Sequence, residues 1–170
     1  MGTNLRGNNV SSAVPATGQV LTWDGSQWVA QTPSGGGASP SGQTITANES
    51  TQSTTYVDLA TVGPAVTVTV GDSGLLLVSF GFTLGDTSYT ASGWMGLDFS
   101  GANTIAPIDD DSVQLTYVSN YSNIWNAGSR QRVIGGLNPG LTTITAKYRT
   151  NGGFPNIAHF LRRDLVVTPL

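Results

Sequence analysis

The chain has 170 residues, of which only 10% are charged, and it contains no cysteine. Its net charge of −3 and its few, scattered basic residues argue against a nucleic-acid-binding surface, and the lack of cysteine excludes disulfides and cysteine metal sites. No apolar run reaches the ~20 residues that span a bilayer, and the first ten residues lack the apolar stretch of a signal peptide. We therefore expect a protein made in a cytoplasm, without membrane insertion and without a cofactor.

A β-hairpin is predicted near the N-terminus, in the stretch GQVLTWDGSQWVA. Asp24-Gly25 is a strong hairpin turn signal, and the residues on both sides alternate in polarity. With a loop of either two or four residues, Trp23 and Trp28 fall on one face together with Leu21. Such a hairpin exposes a large apolar area. These three residues are therefore predicted to form an attachment or trimerisation surface, and the alternative is that the hairpin folds back onto the chain's own domain.

A run of Gly, Ser and Pro, SGGGASPSG, separates this hairpin from the rest of the chain. A segment of that composition forms no core and behaves as a flexible linker. We therefore divide the chain into an N-terminal attachment or trimerisation segment (1–34), a linker (35–42) and a β-sandwich knob (43–170).

Alternation with a period of two residues recurs through the knob, whereas helical periodicity is nearly absent. AVTVTV places Val66, Val68 and Val70 on one face, as in a half-buried strand. Turn residues such as NPG and NGG separate the apolar stretches. The predicted strands are residues 54–61, 65–70, 74–84, 92–100, 112–120, 131–137, 141–150 and 159–170. This pattern predicts an all-β, antiparallel two-sheet sandwich of the jelly-roll type.

The last predicted strand contains the continuous apolar run Leu165, Val166 and Val167. A run of this kind is typical of a strand covered on both faces. We therefore expect the strand to be integral to the sandwich and close to neighbouring subunits, and we expect Pro169 to end it because proline cannot donate to a central ladder.

GQVLTWDGSQWVAQ resembles a segment, GQ-V-L-x-W-x-G-x-x-W-x-P, that recurs in tail fibres and related appendages of bacteriophage virions. This chain departs from the pattern at its end, where Ala30 stands near the usual proline and Pro33 follows three residues later. The part from TTYVDLATVGPAVTVTV to FLRRDLVVTPL is similar to small β-sandwich knobs of phage structural proteins.

The resemblance implies a non-enzymatic homotrimer on the virion surface, made in the host cytoplasm. It would be a short fibre or a capsid-decorating spike, anchored to capsid or tail proteins by residues 1–34 and exposing the knob. A secreted bacterial adhesin or carbohydrate-binding module is the alternative reading of the same sequence.

The signals for catalysis or metal binding are weak. Residues 71–74, GDSG, match the nucleophile loop of serine proteases, but the single histidine, His159, has no accompanying motif, and a β-turn is the preferred interpretation. The aspartates at 109–111 could supply oxygen ligands to Ca²⁺. A solvated acidic loop is favoured because no EF-hand spacing surrounds them. We therefore predict no enzymatic activity and assign no metal site.

The stretch YVSNYSNIWN concentrates Tyr117, Tyr121 and Trp125 among asparagine and serine. Flat aromatic faces beside amide and hydroxyl groups suit sugar rings. These residues are the candidates for binding a host-surface glycan or receptor. The alternative is a hairpin around Ser122-Asn123 whose aromatic side chains pack inward or against a neighbouring subunit.

Two pairs of arginines lie on predicted strands. Arg130 and Arg132 are two residues apart and share a strand face, and Arg162 and Arg163 are adjacent near the end of the chain. We expect all four to be solvated or to pair between subunits, not to bind a ligand.

Overall fold

A computed structural model of the chain describes residues 4–31, 39–85, 91–117, 125–152 and 157–170, and for Tyr117 it describes the backbone only. The chain divides into two compact units, Met1–Gly37 and Ala38–Leu170. The described residues contain no α-helix, and so no helix among them is long and apolar enough to cross a membrane. An all-β protein is confirmed.

The N-terminal unit consists of two short antiparallel hairpins. Its strands are β1 (Asn4–Leu5), β2 (Asn8–Asn9), β3 (Val20–Trp23) and β4 (Trp28–Gln31). The first hairpin turns at Arg6 and Gly7, both with positive φ, which is the geometry of a two-residue turn. The second is the predicted hairpin, and its pairing of Trp23 with Trp28 leaves a loop of four residues.

The second unit, which we call the knob, is a sandwich of two antiparallel sheets. Its strands are β5 (Ser41–Ile45), β6 (Glu49–Thr51), β7 (Ala65–Val70), β8 (Leu76–Gly85), β9 (Ala91–Gly101), β10 (Val113–Tyr117), β11 (Trp125–Ile134), β12 (Gly140–Thr150) and β13 (Ala158–Pro169). The first sheet has the order β11-β8-β13-β5, with β6 also paired to β13, and the second has the order β10-β9-β12-β7. The chain crosses between the sheets after β6, β7, β8, β10, β11 and β12, which is jelly-roll connectivity.

The core lies between the two sheets and is formed by one face of each strand. In β7 the valines are buried and the threonines between them are exposed, as predicted. In β8 the inward residues Leu76 and Val78 are fully buried, whereas Leu77 is half-buried on the outer side. This alternation is what a sheet with one face on the core requires.

A β-bulge in β13 reverses which side chains face the core. The register with β8 shifts between Leu161 and Asp164, and Arg162 has a φ of 49°. Before the bulge Phe160 is buried, and after it Arg163 and Leu165 are buried. A bulge inserts one residue and therefore changes the parity of every residue that follows.

Arg163 is consequently drawn into the interior, where its side chain is fully buried. Its guanidinium donates to the Glu49 carboxylate at 2.8 Å and to the Thr61 carbonyl at 3.4 Å, and it lies over the ring of Tyr148. Burial would raise the pKa of Glu49, but hydrogen bonds from Thr61 and the charge of Arg163 outweigh it and hold this pKa below its usual range. The prediction that Arg163 is solvated or intersubunit is wrong.

Residues 54–61 do not form the predicted strand. They make one bridge to β12, between Val57 and Tyr148, because Ser53 turns the chain by accepting from the Thr55 amide and Glu49 holds Thr61 at the other end. The strand predicted at 131–137 is β11, which begins earlier, at Trp125.

Two further expectations differ from the structure. The strand β10 lies in the second sheet and β11 in the first, so these two strands are not paired with each other. The hairpin considered around Ser122-Asn123 falls in residues 118–124, which lie outside the described part. The strand β13 is integral to its sheet, as expected, but it is not covered on both faces, since Val166 is 43% exposed. It also continues through Pro169.

Removing the partner of Arg163 should be strongly destabilising. We expect Glu49→Gln to lower the free energy of unfolding by about 3–5 kcal/mol, because a buried guanidinium loses its counter-charge. The control Asp58→Asn removes the partner of the more exposed Lys147 and should cost less than about 1 kcal/mol. Urea denaturation measures both.

The same ion pair should make stability depend on pH. Since folding lowers the pKa of Glu49, its contribution to the free energy of unfolding of the wild-type protein is present above the unfolded-state pKa and is lost as the pH falls through the folded-state pKa.

The alternation after the bulge gives a matched pair of substitutions. Val167→Asp places a carboxylate in the core, where the valine is fully buried, and should prevent folding, since an unpaired buried charge costs several kcal/mol. Val166→Asp, one residue earlier on the exposed side, should leave the knob folded. Circular dichroism and thermal melting of the two variants compare them, and equal effects would contradict the inward placement of Val167.

Candidate functional site

The loop between β3 and β4 is held by one aspartate. The Asp24 carboxylate accepts hydrogen bonds from the Ser26 and Gln27 amides at 2.8 Å each and from the Ser26 hydroxyl at 2.9 Å. These hydrogen bonds hold the pKa of Asp24 below its usual value, and the bond from the Gln27 amide has the largest effect. The hairpin therefore has one preferred register, and that register determines which side chains share a face.

The two tryptophans of this hairpin face the same side and touch. Their ring centroids are 5.6 Å apart in an edge-to-face arrangement. Leu21, which is paired with Ala30, lies on the same face and is 48% exposed, and Trp23 is 40% exposed. Trp28 is half-buried because the segment after β2 runs beside it, with the Ser11 amide donating to the Trp28 carbonyl at 2.8 Å. The residues predicted for attachment thus form one apolar surface.

Other apolar side chains of the N-terminal unit are also exposed. Besides Leu21 and Trp23, these are Leu5, Val14 and Val20. Val14 is 92% exposed. A unit of this size has few residues with which to bury them, so apolar surface on both faces of the hairpin is available to another chain.

In the knob, the aspartates at 109–111 form a short 3-10 helix, and arginines form ion pairs with two of them. Arg149 makes a two-point ion pair with Asp109, to which the Tyr56 hydroxyl also donates, and Arg132 pairs with Asp111. The hydrogen bonds from Arg149 hold the pKa of Asp109 below its usual value. Two of the three carboxylates therefore have cationic partners within the chain.

Arg130 and Arg132 are not free surface arginines. They lie on the side of β11 that faces the second sheet, and Arg130 donates to the carbonyls of Asp110 and Ser112 at 2.7 and 3.1 Å. They tie the acidic loop to the edge of the sandwich. No group of three His, Asp or Glu side chains suited to a metal ion occurs among the described residues.

The outer face of the first sheet carries the other candidate site. Trp125 lies at its end, 42% exposed, with its ring directly over Gly85, where any side chain would overlap it. It lines a cavity of about 260 Å³ with Thr83, Leu161 and Arg162, which we call the Trp125 pocket. Of the other predicted glycan-binding residues, Tyr121 and the side chain of Tyr117 lie outside the described part of the chain.

A groove of about 330 Å³ continues from the Trp125 pocket along the same face, and Thr83 and Arg162 line both. Ser79, Gly81 and Ser129 form its floor, and Arg162, Asp164 and Val166 its β13 side. Sequence reasoning found Trp125 but missed the β13 residues, because only the pairing of β13 with β8 brings them to it.

The residues of the protease-like GDSG match form a turn, with the Gly74 amide donating to the Gly71 carbonyl at 3.0 Å. The Ser73 hydroxyl donates to the Leu170 carbonyl, just beyond the end of β13 opposite to His159. About ten residues of extended strand, or some 30 Å, therefore separate this serine from the histidine. Ser73 and His159 therefore do not form a catalytic pair within one chain.

Neither a protein-family profile nor a curated protein matches the chain. Solved structures of infectious bursal disease virus are similar to it. A structure of the Gt strain has 15% identity and a TM-score of 0.50 and matches 95% of this chain and 39% of that one. The VP2 subviral particle has 14% identity and a TM-score of 0.47, matching 99% of this chain and 41% of that one. The chain thus spans about two fifths of the proteins it resembles, and at this identity the likeness shows the fold alone.

Because arginines neutralise Asp109 and Asp111, we expect the acidic loop not to bind Ca²⁺. Adding millimolar CaCl2, or removing divalent ions with EDTA, should leave the melting temperature of the protein unchanged, since a bound ion would stabilise the folded state by mass action. MgCl2 at equal ionic strength is the control. A rise in melting temperature specific to Ca²⁺ would contradict this assignment.

Proposed function

We propose that this protein is a structural component of a virion, attached to the particle by its N-terminal unit and exposing the jelly-roll knob. The observation that carries the proposal is the apolar surface formed by the exposed Leu21 and Trp23 and the half-buried Trp28, on a small unit distinct from the knob. Support also comes from the fold, which is shared by the infectious bursal disease virus structure with a TM-score of 0.50.

The N-terminal unit has the properties of an attachment element. Its hairpin register is held by Asp24, so the tryptophan pair is presented in one arrangement before any partner binds. A preorganised apolar surface loses little conformational entropy on binding, which favours tight attachment. The partner is a capsid or tail protein, or the same surface in other copies of this chain.

The finer proposal is a short bacteriophage fibre or decoration spike that assembles as a homotrimer, made in the host cytoplasm and carried on the virion surface. It is supported by the resemblance of GQVLTWDGSQWVAQ to phage appendage segments and by the jelly-roll knob. A knob without cysteines has neither disulfides nor cysteine metal sites, so its stability depends on packing, to which association with other copies would contribute.

Binding of a host-surface glycan is a second candidate function, and the Trp125 pocket is the observation that supports it. An exposed tryptophan ring beside a hydroxyl, from Thr83, and a guanidinium, from Arg162, offers both stacking and hydrogen bonds to a sugar. The same pocket would serve the alternative function, a bacterial adhesin or carbohydrate-binding module, which needs no particle attachment. Incorporation into particles therefore separates the two functions.

The test of attachment replaces both hairpin tryptophans. Trp23→Ser/Trp28→Ser should leave the knob folded and abolish incorporation of the protein into phage particles, because burial of two such side chains contributes on the order of several kcal/mol. Incorporation is measured by quantitative mass spectrometry of purified particles.

The matched control is Trp125→Ser, which removes an exposed tryptophan of the knob. Its incorporation should be normal, while adhesion of the particles to host cells should fall if the Trp125 pocket binds a glycan. Normal incorporation of the double hairpin variant would rule out the attachment role of the N-terminal unit.

A further inference from the structure

The two sheets of the knob differ in what covers their outer faces. On the second sheet, the chain's own segments lie across the strands. Tyr56 and Pro107 pack on Gly96 so closely that a Cβ there would lie 2.8 Å from each, and Asp58 pairs with Lys147 of β12 at 2.7 Å. Arg149 is stacked on Trp94 with 3.9 Å between its guanidinium carbon and the ring centroid. The chain itself therefore covers the part of this face around β9, while Leu141 and the threonines of β7 remain exposed.

The outer face of the first sheet, which we call the open face, has no such cover among the described residues. Its outward positions are Gly42, Thr44, Ser50, Leu77, Ser79, Gly81, Thr83, Gly85, Trp125, Ala127, Ser129, Gln131, Val133, His159, Leu161, Arg162, Asp164, Val166 and Thr168. Most are small and uncharged. Val133 of the edge strand β11 is 57% exposed, and Val166 of the inner strand β13 is 43% exposed.

The charges on the open face are balanced. Among the described residues its charged side chains are Arg162 and Asp164. They are two positions apart at the bulge, on either side of the buried Arg163, and line the same groove. A face with one positive and one negative group is complementary to itself, because the cation of one copy can meet the anion of another. A polyanionic or polycationic partner would gain nothing from such a pair.

The dimensions also fit an interface between proteins. Three strands of ten to twelve residues and one of five, about 4.8 Å apart, give the open face roughly 550 Å². A standard interface uses about 800 Å² on each partner. Small residues along the groove, Ser79, Gly81, Ala127 and Ser129, let a second backbone approach closely.

We propose that the open face packs against a second copy of this chain, with Arg162 of one copy meeting Asp164 of the other. The inference rests on the self-association in the proposed function and assigns it to a surface. The contact is centred on the groove, and the Trp125 pocket lies at its rim. Packing of this face on itself is isologous and closes a twofold dimer, whereas in a homotrimer the contact of Arg162 with Asp164 would pass from each copy to the next around the threefold axis.

The first experiment adds a large charged side chain at the centre of the open face. Ser129→Arg, at an exposed position that lines the groove, should raise the dissociation constant of the oligomer at least about 100-fold, as measured by native mass spectrometry of the full chain over a concentration series. The matched control is Thr67→Arg, at an exposed position on the outer face of the second sheet, which should leave the constant unchanged. Circular dichroism verifies that both variants are folded.

The second experiment exchanges the charges. Arg162→Asp and Asp164→Arg should each weaken the oligomer about tenfold or more, because each puts like charges in apposition. The double variant should recover most of the wild-type affinity. Aspartate is chosen at position 162 because it tolerates the positive φ of this residue better than most side chains.

The outcomes separate the inference from the function it rests on. An oligomer that Ser129→Arg and the charge exchange leave intact would overturn the assignment of the open face while preserving self-association. A wild-type monomer at micromolar concentration would overturn both, yet leave attachment through the hairpin to be decided by particle incorporation. If Ser129→Arg stayed oligomeric and instead lost adhesion to host cells, the open face would be a ligand surface and the inference wrong.

Discussion

The bulge in β13 decides which residues of this strand enter the core of the knob. One inserted residue, Arg162, reverses the alternation of inward and outward side chains. Phe160 points inward before the bulge, and Arg163, Leu165 and Val167 point inward after it. Without it, the side chains of Asp164 and Val166 would face the core instead. The fully buried guanidinium then needs a counter-charge and acceptors, and these come from Glu49 and Thr61.

The path of the chain from β6 to β7 follows from that requirement. Glu49 accepts from the amide and hydroxyl of Thr61, which closes the segment between them into a loop over the edge of β12. Near the same place the Tyr148 hydroxyl donates to the Gly63 carbonyl at 2.9 Å. A buried polar network of this kind tolerates few alternative arrangements, since each unpaired member would be costly. The bulge thus organises residues more than 100 positions away in the sequence.

Sequence reasoning succeeded where a local pattern is sufficient. The valines of β7, the turn at 71–74 and the shared face of the two hairpin tryptophans follow from a period of two residues and from turn chemistry. It failed where a distant partner decides the structure. Nothing near Arg163 in the sequence indicates burial, because its partner lies 114 residues earlier. The segment 54–61 has strand composition, but it makes a single bridge, to Tyr148, because Glu49 holds its end at Thr61.

The candidate sites divide in the same way. Leu21, Trp23 and Trp28 are brought together by one hairpin, and a single short stretch was enough to predict their common face. Trp125 was found by its composition, but its neighbours Leu161 and Arg162 come from another strand, and the open face as a whole is a property of the strand order. The open face of the first sheet can be recognised only from the structure, which shows that the chain's own segments pack on the second sheet instead.

The position of β13 also has a consequence for how the knob is made in the cell. This strand lies between β8 and β5 in its sheet, and it supplies the described ladder partners of β5, with Thr44 and Asp164 bonded across 120 residues. While the ribosome is still adding β13, the first sheet has a gap in its middle, and the paired edge of β8 and the core side of β5 are open to water and to other nascent chains. Closure is therefore a late, non-local event, which makes folding slow and dependent on protection of the unfinished sheet. In the self-association proposed above, each sandwich must receive β13 before its open face exists for another copy to contact.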